Sequence, residues 1–201
     1  QPFDRSATCP PPGKVDESLD EFWSGDPWLI GRKHNLSAFE RNRAYLNAGG
    51  ANFVDISYTS KLDSDGDGRA AVAADVDNDG QMDLIVRQVS GGPFRIYKNK
   101  FPKQNWLKVS LRGHASHSQG IGAKITVHTD KLKVTRELFP HNTFYSQAST
   151  MAHFGLGSSD LVKQITIRWP GSSEQILENI SANQHILIHE GKPVFKKMAA
   201  K

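Results

Sequence analysis

Asp75-Val76-Asp77-Asn78-Asp79-Gly80-Gln81-Met82-Asp83 lies between two apolar runs, Ala70-Ala71-Val72-Ala73-Ala74 and Leu84-Ile85-Val86. Oxygen donors at the first, third and fifth positions, glycine at the sixth, a backbone carbonyl at the seventh and a carboxylate at the ninth can wrap one hard cation. The ligands expected from this spacing are Asp75, Asp77, Asp79, the carbonyl of Gln81, and Asp83. Gly80 permits the sharp turn that brings Asp83 back toward the other three aspartates. Carboxylates this close repel one another without a cation, so the motif implies Ca²⁺. Mg²⁺ fits less well because it retains water and demands octahedral geometry. The flanking runs are short and apolar, which makes them strands and the motif a loop between strands.

Working outward, Asp63-Ser64-Asp65-Gly66-Asp67-Gly68 repeats the acidic spacing, but its ninth position is Ala71. Asp63, Asp65 and Asp67 therefore form either a second, weaker cation site or a turn rich in left-handed residues. Arg43–Asn47 and Asn52–Ser57 flank a glycine turn and read as a pair of short strands. Phe94–Lys98 alternates as a strand should. Residues 1–40 are rich in Pro, Gly, Asp and Trp and read as a mostly irregular extension, with a short helix over Val15–Trp23.

From Asn105 onward a different pattern begins. Leu107, Val109 and Leu111 alternate with Lys108 and Ser110, and the same period recurs around Ile125, Val134, Ile165 and Ile186. Period-two alternation broken by Gly, Pro, Asn and Asp means antiparallel strands with one buried face, in a sandwich or small barrel. Trp169 shares the inward face with Ile165 and Ile167, which favours core packing over a carbohydrate platform. Trp106 points away from Leu107 and Val109 and is expected to contact the first module.

The chain has 201 residues, 37% hydrophobic and 23% charged, within the globular range. Residues 1–100 carry 12 Lys/Arg against 15 Asp/Glu, a net −3, and residues 101–201 carry 13 against 6, a net +7, for +4 in all. A split of this kind marks two modules of different chemistry. The basic residues are scattered and form no helical stripe, so nucleic acid is not an expected partner. No apolar run reaches the ~18 residues of a membrane span. The lone Cys9 permits neither an internal disulfide nor a thiolate metal site. Among the eight histidines, His114 and His117 are spaced H-x-x-H in a loop that does not fix both rings on one face. His153 is read as a buried structural hydrogen-bonding group. Nucleophile-elbow and H-E-x-x-H patterns are absent from the sequence.

Residues 41–101, on Asn42-Arg-Ala-Tyr-Leu-Asn-Ala-Gly-Gly-Ala-Asn-Phe-Val-Asp-Ile and Asp67-Gly-Arg-Ala through Ile96-Tyr-Lys-Asn, resemble the FG-GAP/VCBS repeat, the blade unit of integrin-like propellers. Residues 105–190 resemble the ASPIC/UnbV domain found at the end of cartilage-acidic-protein-like chains. That match rests on Asn105-Trp-Leu-Lys-Val-Ser-Leu-Arg-Gly, Gly120-Ile-Gly-Ala, Tyr145-Ser-Gln, His153-Phe-Gly-Leu-Gly, Trp169-Pro-Gly and Asn183-Gln. Ser116-His117-Ser118-Gln119-Gly120 departs from the family's Ser-Asn-Arg-x-Ala, so no role of that Asn-Arg pair carries over.

The expected architecture is therefore all-β: one incomplete propeller-blade-like unit (41–102) packed on a C-terminal antiparallel β-sandwich or small barrel (103–191), followed by a basic tail (192–201). A propeller needs about 4–8 blades, more than this length supplies, so an exposed strand edge is expected. The resemblance implies a secreted, periplasmic or cell-surface recognition or adhesion protein that is not an enzyme, with Ca²⁺ as its cofactor and a protein or polysaccharide as partner. The alternatives are a structural subunit that completes its sheet on a partner chain, as a homo- or hetero-oligomer, and a metal-dependent glycan-active enzyme.

Overall fold

The computed structural model describes residues 41–64, 68–88, 94–139, 146–171 and 174–198. The helix expected over Val15–Trp23 falls outside them, as do Asp65 and Asp67. Every regular element among the described residues is a strand. The chain divides into two compact units, Gln1–Ala71 with Val86–Arg95, and Val72–Ile85 with Ile96–Lys201. The acidic loop and the C-terminal strands therefore belong to the same unit.

In the first unit, β1 (Tyr45–Asn47) pairs antiparallel with β2 (Phe53–Asp55). Gly49 and Gly50 adopt φ of 96° and 64°, which turns the chain tightly, and Asn47 Oδ1 accepts the Gly49 N–H at 2.9 Å. Buried Ser57 ties the strand ends together, its hydroxyl accepting the Ala44 N–H at 2.8 Å. Strands β3 (Gly68–Ala74), β4 (Asp83–Gln88) and β5 (Arg95–Tyr97), each with residues assigned to both units, form a three-stranded sheet with β4 central, as its apolar run suggests.

The sandwich lies wholly in the second unit. One sheet has the order β11-β10-β7-β8, from β7 (Lys124–His128), β8 (Lys133–Glu137), β10 (Leu161–Arg168) and β11 (Glu174–Ser181). The other has the order β13-β12-β6-β9, from β6 (Asn105–Arg112), β9 (Ala152–Gly157), β12 (Gln184–His189) and β13 (Phe195–Lys197). β6 and β12 run parallel, whereas the other strand pairs of the sandwich are antiparallel. The segment read as a basic tail supplies β13. The alternating residues meet in one core, in which Leu107, Val109, Ile125, Phe154, Ile165, Ile167, Ile186 and Ile188 have no measurable exposure or nearly none. Trp169 joins this core, and its indole N–H donates to Gln175 Oε1 at 2.9 Å.

The β6–β7 connection is held by a single carboxylate. Glu190 Oε2 accepts the backbone N–H groups of His114, Ala115 and Ser116 at 2.7, 2.9 and 2.9 Å, and Oε1 accepts the Ser116 hydroxyl at 2.8 Å. These donors, the Ser116 N–H foremost, lower the Glu190 carboxyl from its ordinary 4.5 to about 2. Stability from this contact is complete above pH 4.5 and is lost as the pH falls toward 2. Glu190→Gln is accordingly expected to lower the melting temperature at pH 7 and to flatten the acid limb of the stability curve. An acid limb unchanged in the variant would refute this assignment.

Candidate metal centre

The acidic loop turns through left-handed backbone at Asn78 and Gly80, with φ of 60° and 91°. Asp75 organises it from within: Oδ1 accepts the Asp79 N–H at 3.0 Å and Oδ2 the Gly80 N–H at 2.7 Å. Asp83, the first residue of β4, is buried and accepts the Val76 N–H at 3.2 Å on Oδ2 and the Asn99 N–H at 2.8 Å on Oδ1. These bonds fix both carboxylates before any ion arrives.

Carboxylate oxygens of Asp75, Asp77 and Asp83 all lie within 4.8 Å of one another. Calcium binds oxygen at about 2.3–2.6 Å, so two ligands on opposite sides of one ion stand about 5 Å apart. The three aspartates thus fit a single Ca²⁺, and the donor set is oxygen alone. Asp79 stands beside them, with Oδ1 taken by the Gln81 N–H at 2.9 Å. The side chain of Gln81 turns outward to the Phe101 carbonyl at 2.9 Å. That leaves its own carbonyl as the ligand expected of it. From the second acidic stretch, Asp63 pairs with Arg41 at 3.0 Å.

Two lysines complete the charge balance, and the sequence pattern gave no sign of either. Lys98 Nζ contacts Asp77 and lies 3.0 Å from Asp79 Oδ2 and 3.9 Å from Asp83 Oδ1. The hydrogen bond to Asp77 is the main reason its ammonium is held above the usual lysine range. Asp79 is held below the usual carboxylate range, first by the Gln81 N–H and then by Lys98. Lys108 Nζ reaches Asp75 Oδ2 at 2.6 Å, and both side chains are almost fully buried. Part of the positive charge expected from an ion is therefore carried by the chain itself.

The loop is seated on the outward face of β6 and β9. A methyl group at Gly80 would lie 1.9 Å from Trp106 Nε1, so glycine is required here for contact as well as for φ. The Gly80 carbonyl accepts a hydrogen bond from His153 Nε2 at 2.8 Å. That contact fixes the Nε2–H tautomer. Burial, its largest influence, lowers the His153 pKa, so the ring is neutral near pH 7. Trp106 stacks against His153 at 6.3 Å between centroids with 13° between planes, and Lys108 Nζ lies 5.1 Å from the indole centroid. Trp106 meets the acidic loop, the kind of contact its outward direction suggested, and His153 makes the hydrogen bond expected of it, from a half-buried position.

Two other histidine rings among the described residues have protein partners, and a third histidine is held through its backbone. His117 Nδ1 accepts the Gln119 N–H at 3.2 Å, the backbone N–H of His114 goes to Glu190, and His185 Nε2 pairs with the Ser110 hydroxyl at 2.8 Å. Among the described residues, Asp75, Asp77 and Asp83 are the group of His, Cys, Asp or Glu side chains close enough to share an ion.

Residues 28–86 match the family model of the FG-GAP-like repeat, and residues 113–194 match that of ASPIC and UnbV. The chain thus has one segment similar to the first followed by one similar to the second. A search of curated proteins finds no match. Trp106 and Lys108 fall between the two matched segments, although they form the seat of the loop.

An ion bound by Asp77 and Asp83 must displace the Lys98 ammonium. Lys98→Met is therefore expected to tighten calcium binding about fivefold in a calorimetric titration, while lowering the melting temperature in chelator. Unchanged or weaker binding would show that Lys98 does not compete.

Proposed function

We propose that this chain is a calcium-binding, non-catalytic recognition module that acts outside the cytoplasm, with Ca²⁺ stabilising the loop of residues 75–83. The observation that carries this reading is the oxygen-only cradle of Asp75, Asp77 and Asp83, fixed in advance by backbone N–H groups. The similarity to the FG-GAP-like repeat and to ASPIC and UnbV is consistent with a secreted or cell-surface role in recognition or adhesion. Low-affinity calcium sites fill at extracellular millimolar calcium and stay empty in resting cytosol, which favours export. Among the described residues there is no helix long and apolar enough to cross a membrane. A non-catalytic role is supported by the histidines: His117, His153 and His185 are engaged with protein groups that hold them in place. The partner is a protein or polysaccharide at the cell surface.

A second reading, a structural subunit that completes its sheet on another chain, is favoured by the β1–β2 pair. Tyr45, Phe53 and Val54 there are exposed by 58%, 62% and 51%. Exposed aromatic and branched residues on a short hairpin suit strand addition.

Calcium that binds only the folded chain stabilises it by about 2.7 kcal/mol at a hundredfold excess over Kd. For a chain of this length that raises the melting temperature by about 5–10 °C. Calorimetric melts in calcium and in chelator should differ by this amount. Identical melts on verified calcium-free protein would sink the calcium reading, and sedimentation of the same samples separates a monomer from a concentration-dependent assembly.

A further inference from the structure

A cavity of about 390 Å³ opens at the end of the sandwich where β6 begins and β9 finishes, beside the acidic loop. All of its walls belong to the second unit. Trp106, Asn105, Asn183, Gln81 and Ser158 contribute an indole, three amides and a hydroxyl. We propose that this cavity is a binding site for a neutral saccharide, which gives the recognition reading above a ligand class and rests on it.

The cavity is built from rigid parts. A register shift between β6 and β9 at Asn105 and Trp106 sets Asn105 opposite Gly157 at the rim. Asn183, in left-handed backbone with φ of 57°, is locked to β6: its N–H donates to the Trp106 carbonyl at 2.7 Å, its Oδ1 accepts the Trp106 N–H at 3.2 Å, and its Nδ2 donates to Asn105 Oδ1 at 2.8 Å. Each contact orients a lining group and leaves part of its hydrogen-bonding capacity over. Asn105 keeps its Nδ2 donors. Gln81 gives Nε2 to the Phe101 carbonyl at 2.9 Å and keeps Oε1 as an acceptor. Ser158 Oγ accepts Lys131 Nζ at 3.0 Å and keeps its hydroxyl hydrogen. Among the described residues these three groups have no other partner.

Donors and acceptors around an indole are complementary to a sugar ring, which presents hydroxyls at its edge and polarised C–H groups on its face. The C–H face suits the negative face of the aromatic ring. The volume lies in the range of small-molecule sites. The charged groups at the cavity are mixed in sign and give no field that selects an ion. Asp79 and Lys103 face the cavity with opposite signs, and Asp79 is already held by Lys98. A phosphate or sulfate would meet that carboxylate, and an apolar ligand would strand the amides. Trp169, the other candidate aromatic, is only 2% exposed and unavailable to a ligand.

The test is a titration of the whole chain in saturating calcium with cellobiose, maltotriose, lactose and N,N′-diacetylchitobiose, followed by saturation-transfer NMR and tryptophan fluorescence. At least one is expected to bind at millimolar concentration. Asn105→Ala and Ser158→Ala should each weaken it about fivefold without changing the calcium-dependent melt. Trp106 is kept intact because it carries Gly80. Absence of binding by all four at about 10 mM, or binding indifferent to both substitutions, would overturn the proposal. So would a chain that binds heparin in a salt-sensitive manner and none of the four sugars. A calcium-dependent melt that persists in any of these cases leaves the calcium reading standing, so the two failures are distinguishable.

Discussion

A carboxylate with no solvent exposure needs a cation, and Asp75 finds its own in Lys108 at 2.6 Å. Asp75 is the first residue of the acidic loop, and Lys108 lies in the middle of β6. A buried pair of this kind contributes little net stability, because desolvation offsets most of the attraction. Removing either partner strands a charge at a cost of about 3–5 kcal/mol. The pair thus restricts the loop to one seat more than it strengthens the fold. Trp106 and His153 complete that seat through Gly80. β6 therefore serves two layers at once, with Leu107, Val109 and Leu111 in the sandwich core and Trp106 and Lys108 beneath the loop.

This double use of β6 joins two pieces of sequence that match different family models. The FG-GAP-like segment ends at residue 86 and the ASPIC and UnbV segment begins at 113, yet the loop from the first is packed against strands of the second unit's sandwich. Any ligand that binds the folded loop stabilises the surface that holds it. On the calcium reading, affinity for the ion and sandwich stability would be linked through the same residues, with Lys98 already meeting part of that charge. Asp79 and Gln81 belong to the acidic loop and also line the neighbouring cavity.

Much of this was legible in the sequence, for identifiable reasons. Leu107, Val109, Ile125, Ile165 and Ile186 announced their strands because a two-residue period has few explanations besides a half-buried strand. The Asp75–Asp83 spacing announced an oxygen cradle because three alternating carboxylates followed by glycine are hard to explain as a plain turn. The outward direction of Trp106 followed from the same alternation. Other features carried no local signal. Lys108 occupies an outward strand position where lysine is ordinarily solvated, and only the seated loop buries it. Lys98 follows β5 as an ordinary strand-end lysine, and its three carboxylate neighbours come from residues 15 to 21 positions earlier. The parallel pairing of β6 with β12 joins residues more than 70 positions apart, which alternation alone cannot specify. The strand β13 was hidden by its basic composition, since Lys196 and Lys197 read as tail.

The central claim is that the acidic loop and the β6–β9 face form one cooperative unit through Asp75–Lys108 and Gly80–Trp106–His153. Hydrogen exchange measured with and without calcium tests it most directly. If the claim holds, calcium slows exchange at the amides of β6 and β9 together with those of residues 75–83, and leaves the β1–β2 hairpin unchanged. Protection confined to residues 75–83, with β6 and β9 exchanging at the same rate in chelator, would contradict it.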